Sequence, residues 1–283
     1  MARLPQKIRI EIAAKQAWEK IQKQEAETYR EIVKTYQDAH QDIKQQLANA
    51  VSDVSRERLQ KLDAFVQSRI DELTPKVNSA VSNSLERGWE IGVEGGLNQS
   101  IIYHGASIGI DWNLFTPRGL EPYSQFALQL CDQYNQELVN KIQQQLRLGF
   151  FERKAWNEIM QDIAEKSFGF KRPRSIPLKP KGVLYKIHRI VRTEMQRMRT
   201  FGEKEILELD KDITGIHIQF GGGPCPGNVC PPKQGDYFKD GSDKGWPPPD
   251  IPFHPNCTCY TWFIYPKERP AAEIPGKAGG GAG

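Results

Sequence analysis

The chain has 283 residues, of which 38% are hydrophobic and 26% are charged, and its formal net charge is +4. Core-forming residues are therefore scarcer than in a typical compact domain, which favours extended helical packing. No run approaches the roughly 18 apolar residues of a membrane helix, and Lys7, Arg9 and Glu11 interrupt the start, which excludes a signal-peptide core. We expect no membrane segment and a protein made in a cytosol-like compartment.

Residues 1–99 are predicted to form an extended helical docking region. After Pro5, no proline or glycine occurs before Pro75, which we expect to interrupt the helical pattern. Apolar and aromatic residues recur at spacings of three and four, at Tyr29, Val33, Tyr36, His40, Ile43, Leu47, Ala50 and Val54. A helix from Pro5 to Asp53 has no obvious place in its own chain to bury this seam. The seam is therefore expected to dock on a partner or on another copy of the chain.

Residues 100–209 are predicted to form a helical core that contains a basic segment. Glycines at 88, 92, 95 and 96 precede it, at spacings that let helices approach closely or mark a bend. A helix opening at Pro122 carries an apolar stripe, with Cys131 beside it as a small core residue, and Gly149 is expected to end it. The stripe is Phe126, Leu130, Tyr134, Leu138, Ile142 and Leu146. A short helix over Glu152–Lys166, a proline-rich loop over Lys171–Lys181 and a helix over Leu184–Leu209 complete this region.

Positive charge is concentrated between Lys171 and Lys204, where eleven basic residues face two acidic ones. Such an excess is typical of a surface that contacts a polyanion, although a solvated helix face beside a basic loop would look the same. No recognition-helix pattern or stacking platform accompanies it, so we expect contacts to phosphates rather than to bases. The candidates are Lys171, Arg172, Arg174, Lys179, Lys181, Arg189, Arg197 and Arg199.

The character of the chain changes at Asp210. Residues 210–266 are rich in glycine and proline and predict a small loop-rich α+β module, with strands over Ile213–Phe220 and Thr258–Tyr265. Residues 267–283 end in Gly-Gly-Gly-Ala-Gly and predict a flexible tail. The fold class is therefore mainly α, with long extended N-terminal helices, a helical middle domain and a small C-terminal module.

Five soft metal ligands lie in this module: Cys225, Cys230, His254, Cys257 and Cys259. The module is too short and too poor in apolar residues to be stabilised by burial alone, so it needs a bound metal ion or disulfides. Thiolates on tight turns are typical of a structural, tetrahedral zinc site. Such a site has four ligands, and the module has five candidates for them. Disulfides are the alternative if the protein leaves the reducing cytosol, and inert thiols are a third. A catalytic zinc is disfavoured because no glutamate adjoins these ligands.

Catalytic signatures are weak. Gly105, Ser107 and Gly109 match the G-x-S-x-G pattern of a nucleophile elbow, but Pro117 cuts off the helix that should follow and the flanking regions predict helices rather than sheet strands. A chance match is the better interpretation, and we expect no enzymatic activity.

Several short motifs occur in a specific order along residues 122–266. A helix ending Leu148-Gly149 precedes a short helix with Ile159 and Ile163, then Arg192-Thr193-Glu194, and then Cys225, Cys230, Gly235-Asp236 and His254-Pro-Asn-Cys-Thr-Cys259. This series resembles the phage Mu F-like head-morphogenesis family of minor head proteins. The chain departs from the family pattern in the run Gly221–Pro224, which replaces an aspartate, in wider cysteine spacing, and in Thr258, where an arginine is usual.

The resemblance implies a minor capsid protein of a tailed-phage virion, structural rather than enzymatic. It would be assembled in the host cytoplasm and would lie inside the head at the portal vertex, with the portal protein, other head proteins and double-stranded DNA as partners. Head morphogenesis is the implied role, with DNA packaging or ejection beside it. Arg192 and Glu194 are expected to form an ordered polar contact with the C-terminal module, residues 210–266, which we call the end module. The alternative is a hydrolase or toxin-like effector that uses Ser107 or the Cys/His module.

Overall fold

The computed structural model describes residues 4–48, 56–105, 120–170, 182–223 and 225–266. The helices in these ranges are α1 (Gln6–Ala48), α2 (Arg56–His104), α3 (Leu120–Phe151), α4 (Trp156–Asp162) and α5 (Val183–Leu209), and a π-helical segment, Ile163–Phe168, continues α4. The strands are β1 (Gly215–Gln219), β2 (Gly235–Phe238) and β3 (Tyr260–Ile264). The mainly α fold with a small C-terminal α+β module is therefore confirmed.

Helices α1 and α2 form a long antiparallel hairpin. Near one end, the Gln6 amide donates to the Ile102 carbonyl over 3.1 Å, and further along, Lys20 pairs with Glu94 over 3.2 Å. The buried face of α1 repeats at spacings of three and four, as an amphipathic helix requires. Its buried apolar residues are Ile10, Ala13, Ala14, Ala17, Ile21, Ile32, Tyr36, Ala39, Ile43 and Leu47.

The α1–α2 hairpin contradicts the prediction that the apolar seam of α1 docks on a partner or on another copy of the chain. Tyr36, Ile43 and Leu47 are almost completely buried, in the same hydrophobic core as Val66 and Ile70 of α2. The expectation that these residues dock on a partner is wrong, because α2 is as long as α1 and covers the same stripe. Tyr29, Val33 and His40 lie half-buried at the edge of that face. Ala50, Val54 and the predicted helix end at Asp53 lie outside the described residues.

Pro75 does not interrupt α2, contrary to the prediction. The helix runs through it, and the Thr74 hydroxyl donates to the Ile70 carbonyl over 2.8 Å at the same turn. Pro75 itself is exposed. Water can therefore bond the carbonyl of Asp71, four residues earlier, which a proline leaves without its helical donor.

Helix α3 follows the predicted stripe only in its second half. Leu138, Ile142 and Leu146 are buried as expected, and so is Cys131. Phe126, by contrast, is 51% exposed, because the buried face of the first half passes one residue further on, through Ala127, Cys131 and Asn135. Helix α3 also continues beyond Gly149 to Phe151.

Glycines bring α2 and α5 into backbone contact. A Cβ atom on Gly92 would overlap the Arg199 carbonyl, and one on Gly202 would overlap the Trp89 carbonyl. Gly88 and Gly96 extend the contact one turn in each direction, towards Met195 and Ile206. The close approach predicted from the glycine spacing is therefore confirmed, and the two helices run parallel.

The three strands form one antiparallel sheet in the order β2-β1-β3. On β1, His217 lies opposite Asp236 of β2 and Trp262 of β3, and its ring stacks on Trp262 with centroids 4.0 Å apart. Trp262 also packs against Ile10 and Ala14 of α1, which fixes the sheet to the start of the hairpin. The strands predicted over Ile213–Phe220 and Thr258–Tyr265 are confirmed as β1 and β3. Strand β2 was not predicted, because its four residues show no alternating apolar pattern.

None of the helices in the described part of the chain combines the length and the apolar character that a bilayer crossing requires.

We predict that Gly92→Ala lowers the free energy of unfolding by about 1–3 kcal/mol, because the added methyl group must displace the backbone of α5. Chemical denaturation of the full chain measures this. Asn83→Ala, at an exposed position of the same helix, is the matched control and should leave stability almost unchanged. An unchanged midpoint for Gly92→Ala would contradict the close contact.

Candidate metal centre

The structure brings all five predicted ligands together beside the sheet. Cys225 and Cys230 each precede a short 3-10 turn, Pro226–Asn228 and Pro231–Lys233, and Cys257 and Cys259 lie just before β3. The donor atoms form two overlapping groups, and within each group all atoms lie within 4.8 Å of one another. These groups are Cys225, Cys230 and His254, and Cys230, Cys257 and Cys259. Cys230 belongs to both and is the centre of the cluster.

The spacing of the donors suits a metal ion better than a disulfide. The sulfur atoms of Cys230 and Cys257 are 3.7 Å apart, and Cys230 Sγ lies 3.0 Å from His254 Nε2. Two thiolates bound tetrahedrally at about 2.3 Å from one ion are separated by roughly 3.8 Å. A disulfide requires about 2.05 Å, and all four cysteines of the cluster are free thiols.

Two hydrogen bonds prepare the ligands further. His254 Nδ1 lies 2.8 Å from the Pro255 carbonyl oxygen, so the ring donates its proton there and turns the lone pair of Nε2 towards Cys230. Metal-binding histidines are commonly oriented by such a bond. The backbone N–H of Cys230 donates to Cys225 Sγ over 3.1 Å, which stabilises a thiolate at Cys225.

The electrostatics of the thiols also fit a cation. Burial raises the pKa of the Cys230 thiol to about 12, and the hydrogen bond from Cys259 lowers the pKa of Cys257 to about 5. At Cys225, burial acts to raise the pKa, but hydrogen bonding from Cys230 outweighs it and lowers the pKa. Closely packed thiols cannot all ionise together unless a cation balances their charge. The cluster can therefore hold a metal ion.

One apolar cluster of the end module is built around these ligands. Its buried members are Ile218, Cys230, Tyr237, Ile251, Cys257 and Cys259, with Phe220, Trp246 and Phe253 packed at its edge. Half of the buried set is therefore ligand cysteine. Whatever holds the thiols together also holds this cluster, whereas Ile216 and Phe263 of the sheet pack in the core of the helical body.

Polar contacts fix the module to α5. The backbone N–H of Asn256 donates to Thr193 Oγ1 over 3.4 Å, and the Gln196 amide donates to the Cys259 carbonyl. Deeper in the interface, the Thr261 hydroxyl donates to Glu203 over 2.6 Å. The His254–Cys259 segment is thus bonded to one face of a single helix.

The expected contact between the Arg192-Thr193-Glu194 motif and the module is made by Thr193. Arg192 and Glu194 bond elsewhere: Arg192 Nε lies 3.5 Å from a Glu25 carboxylate oxygen of α1, and Glu194 pairs with Arg197. Both charged residues therefore form polar contacts as expected, but their partners are Glu25 of α1 and Arg197 of α5 instead of the module.

Sequence reasoning missed Gln196 and Glu203 as residues that hold the module. Glu203 forms a fully buried ion pair with Arg199, and both are enclosed beneath β3. The spacing of four between Arg199 and Glu203 was a readable signal for a helical ion pair. Their burial depends on the sheet, which the helix sequence does not encode.

The structure places the residues that were predicted to contact phosphates in different environments. Arg199 is 0% exposed, so its assignment to DNA contact is wrong. Arg197 is engaged by Glu194, with its guanidinium 5.8 Å from the centroid of the Tyr123 ring, whereas Arg189 is exposed. Lys171, Arg172, Arg174, Lys179 and Lys181 lie outside the described residues.

The excess of positive charge on α5 is smaller than its sequence suggests, because acidic residues of other elements pair with its basic side chains. Lys186 pairs with Glu137 of α3, Lys204 pairs with Asp250 of the module, and Arg192 lies against Glu25. These acidic partners are distant in sequence, so counting charges along the chain could not include them.

A polar cluster joins the ends of α2 and α5 to the end of β3. The Asp210 carboxylate accepts hydrogen bonds from Ser100 Oγ over 2.7 Å and from the Tyr265 hydroxyl over 3.1 Å, and it lies 3.2 Å from His104 Nε2. Because Asp210 lies between the serine and the histidine, this trio does not form a nucleophile–base pair. Ser107 lies outside the described residues.

Comparisons of the chain with protein-family models, curated proteins and solved structures return no match.

Asp210 should make stability depend on acidity. Burial acts to raise its pKa, but hydrogen bonds from Ser100, His104 and the Asp212 backbone outweigh it and lower the pKa. A lowered pKa in the folded state gives stability that is present above the ordinary value of about 3.8 and is lost as the pH falls through the folded value.

We therefore predict that Asp210→Asn destabilises the chain at neutral pH, by roughly 1–3 kcal/mol for hydrogen bonds to a charged group. The loss should shrink as the pH falls below about 3.8 towards the lowered folded value, because the wild-type carboxylate is then progressively protonated as well. Thermal unfolding across that pH range measures both effects, with exposed Asp38→Asn as the control. A loss that is independent of pH would show that the charge of Asp210 is unimportant.

Proposed function

We propose that the chain is a non-enzymatic minor head protein of a tailed phage, bound at the portal vertex inside the capsid. One observation carries this proposal: two motifs of the family resemblance meet in space. Thr193 belongs to the first motif and Asn256 to the second, and they are hydrogen-bonded across 63 positions of sequence. A chance pair of short motifs has no reason to form one interface.

The shape of the helical body suits a structural role. Helices of 43 and 49 residues extend roughly 65 and 75 Å at 1.5 Å per residue. An antiparallel hairpin of that length is stiff and can span between neighbouring components of a particle. Because its apolar seam is buried internally, contacts to the portal protein would use exposed residues instead.

The proposed DNA contacts are the basic residues of positions 171–181 and Arg189. The first group is Lys171, Arg172, Arg174, Lys179 and Lys181, and Arg189 is the exposed candidate on α5. Lysine and arginine contact phosphates without reading sequence. Double-stranded DNA packed beside the portal is such a partner.

We further propose that the metal of the Cys/His cluster is structural zinc. Cys225, Cys230 and Cys257 would bind it together with either Cys259 or His254. Zinc supplies the charge that lets closely packed thiols ionise, and four protein ligands leave no position for a reactive water. A zinc ion with four protein ligands is typical of a structural site that stabilises the fold, and not of the active site of a hydrolase.

Purified protein is predicted to contain one zinc ion per chain by elemental analysis. Cys257→Ser should lose the zinc and the dispersion of NMR signals from residues 210–266, while most helical circular dichroism remains, because the helical body has its own core. Cys131→Ala removes a cysteine outside the cluster and should keep the zinc. Protein without zinc, with the cluster thiols paired instead, would replace this proposal by the disulfide alternative.

The role in the head is tested by producing the chain together with the portal and capsid proteins of the same genome. We expect it to co-sediment with assembled heads in far fewer copies than the major capsid protein, and to be absent from heads made without the portal. Its absence from complete heads would contradict the proposal. Hydrolysis of ester or peptide substrates by the isolated chain would favour the effector alternative.

A further inference from the structure

The cluster has one donor more than a tetrahedral ion binds, and its four sulfur atoms are not equally accessible. Cys230, Cys257 and Cys259 are at most 3% exposed, whereas Cys225 is only half-buried. An oxidant from solvent therefore meets Cys225 first. If Cys225 leaves, the other four donors of the cluster remain in place.

We propose that Cys225 is a site of oxidation by peroxide, and that it forms a disulfide with Cys230 that releases the metal and loosens the end module. The metal-release part rests on the zinc proposal above. The disulfide part rests only on the positions of the two cysteines.

The chemistry takes two steps and one molecule of hydrogen peroxide. The Cys225 thiolate attacks one peroxide oxygen, an S–O bond forms, the O–O bond breaks and hydroxide leaves, so that Cys225 carries a sulfenic acid. The Cys230 thiolate then attacks that sulfur, the S–S bond forms, and the S–O bond breaks with loss of a second hydroxide. The two sulfur atoms lose two electrons, the peroxide gains them, and two protons from solvent convert both hydroxides to water.

The local structure favours Cys230 as the second thiol. Its sulfur lies within 4.8 Å of Cys225 Sγ, and its backbone N–H already holds that sulfur at 3.1 Å. The sulfur of Cys257 is also close to Cys230, but both of these atoms are buried and neither meets the oxidant first.

Oxidation would change how the module is held. A disulfide between Cys225 and Cys230 closes a loop of only a few residues, which stabilises the fold little. It also removes Cys230, the donor shared by both halves of the cluster. Cys257, Cys259 and His254 then lose their link to the Cys225–Cys230 turn. The segment that contacts Thr193 and Gln196 of α5 would therefore become less ordered.

The test treats the zinc-loaded full chain with equimolar hydrogen peroxide, and follows zinc with a chromophoric chelator and disulfides by peptide mapping. We expect one zinc ion to be released for each Cys225–Cys230 disulfide formed. Cys225→Ser should keep its zinc through Cys230, Cys257, Cys259 and His254, and should release it at least about tenfold more slowly, because the accessible thiolate is gone. Cys131→Ala should behave like the wild type.

Different outcomes overturn different parts. Mapping of another pair, or equally fast release from Cys225→Ser, would overturn the assignment of Cys225 as the oxidation site. A Cys225–Cys230 disulfide with zinc retained would overturn the release. Protein purified without zinc would contradict the zinc proposal alone, because peptide mapping of the oxidised metal-free chain still tests the cysteine pair.

Discussion

The fold of the end module depends on bringing five soft donors together. The apolar cluster around the donors has six buried residues, and three of them are the cysteines Cys230, Cys257 and Cys259. Ile216 and Phe263 of the sheet pack in the core of the helical body instead. The turns around the donors therefore have little apolar burial of their own to offset the conformational entropy of ordering them, and we expect a bound metal ion or disulfides to join the donors. The positions of the turns, of β3 and of the contact with α5 follow from that requirement.

The helical body is held by a different kind of contact. Backbone meets backbone at Gly92 and Gly202, and long apolar stripes pair along the α1–α2 hairpin. Module and body then meet through apolar side chains, with Ile216 and Phe263 of the sheet in the core of the body. Buried polar groups add to this contact: Glu203 accepts from Thr261, and the Gln99 side chain accepts from the Phe263 backbone over 2.8 Å. Such an interface specifies one orientation of the module, because each buried polar group needs its particular partner.

Local signals in the sequence predicted local features well. Glycine spacing indicated a close helix approach or a bend at residues 88–96, and the cysteine and histidine positions predicted the cluster, because both signals lie on short stretches of chain. That α5 is the partner helix was not predicted. Periodicity also identified Tyr36 and Ile43 as apolar-face residues, but it could not show that α2 covers them. The burial of Arg199 and the exposure of Phe126 likewise depend on elements distant in sequence, so the pattern misassigned both.

Hydrogen exchange with and without a zinc chelator tests most directly whether the module depends on its cluster while the helical body does not. The account predicts that chelation abolishes amide protection in β1, β2, β3 and residues 225–259, while α1, α2 and α3 keep theirs. Protection in the module that is unaffected by chelation and by reduction of disulfides would contradict it. Equal loss of protection in the module and the helices would contradict it as well.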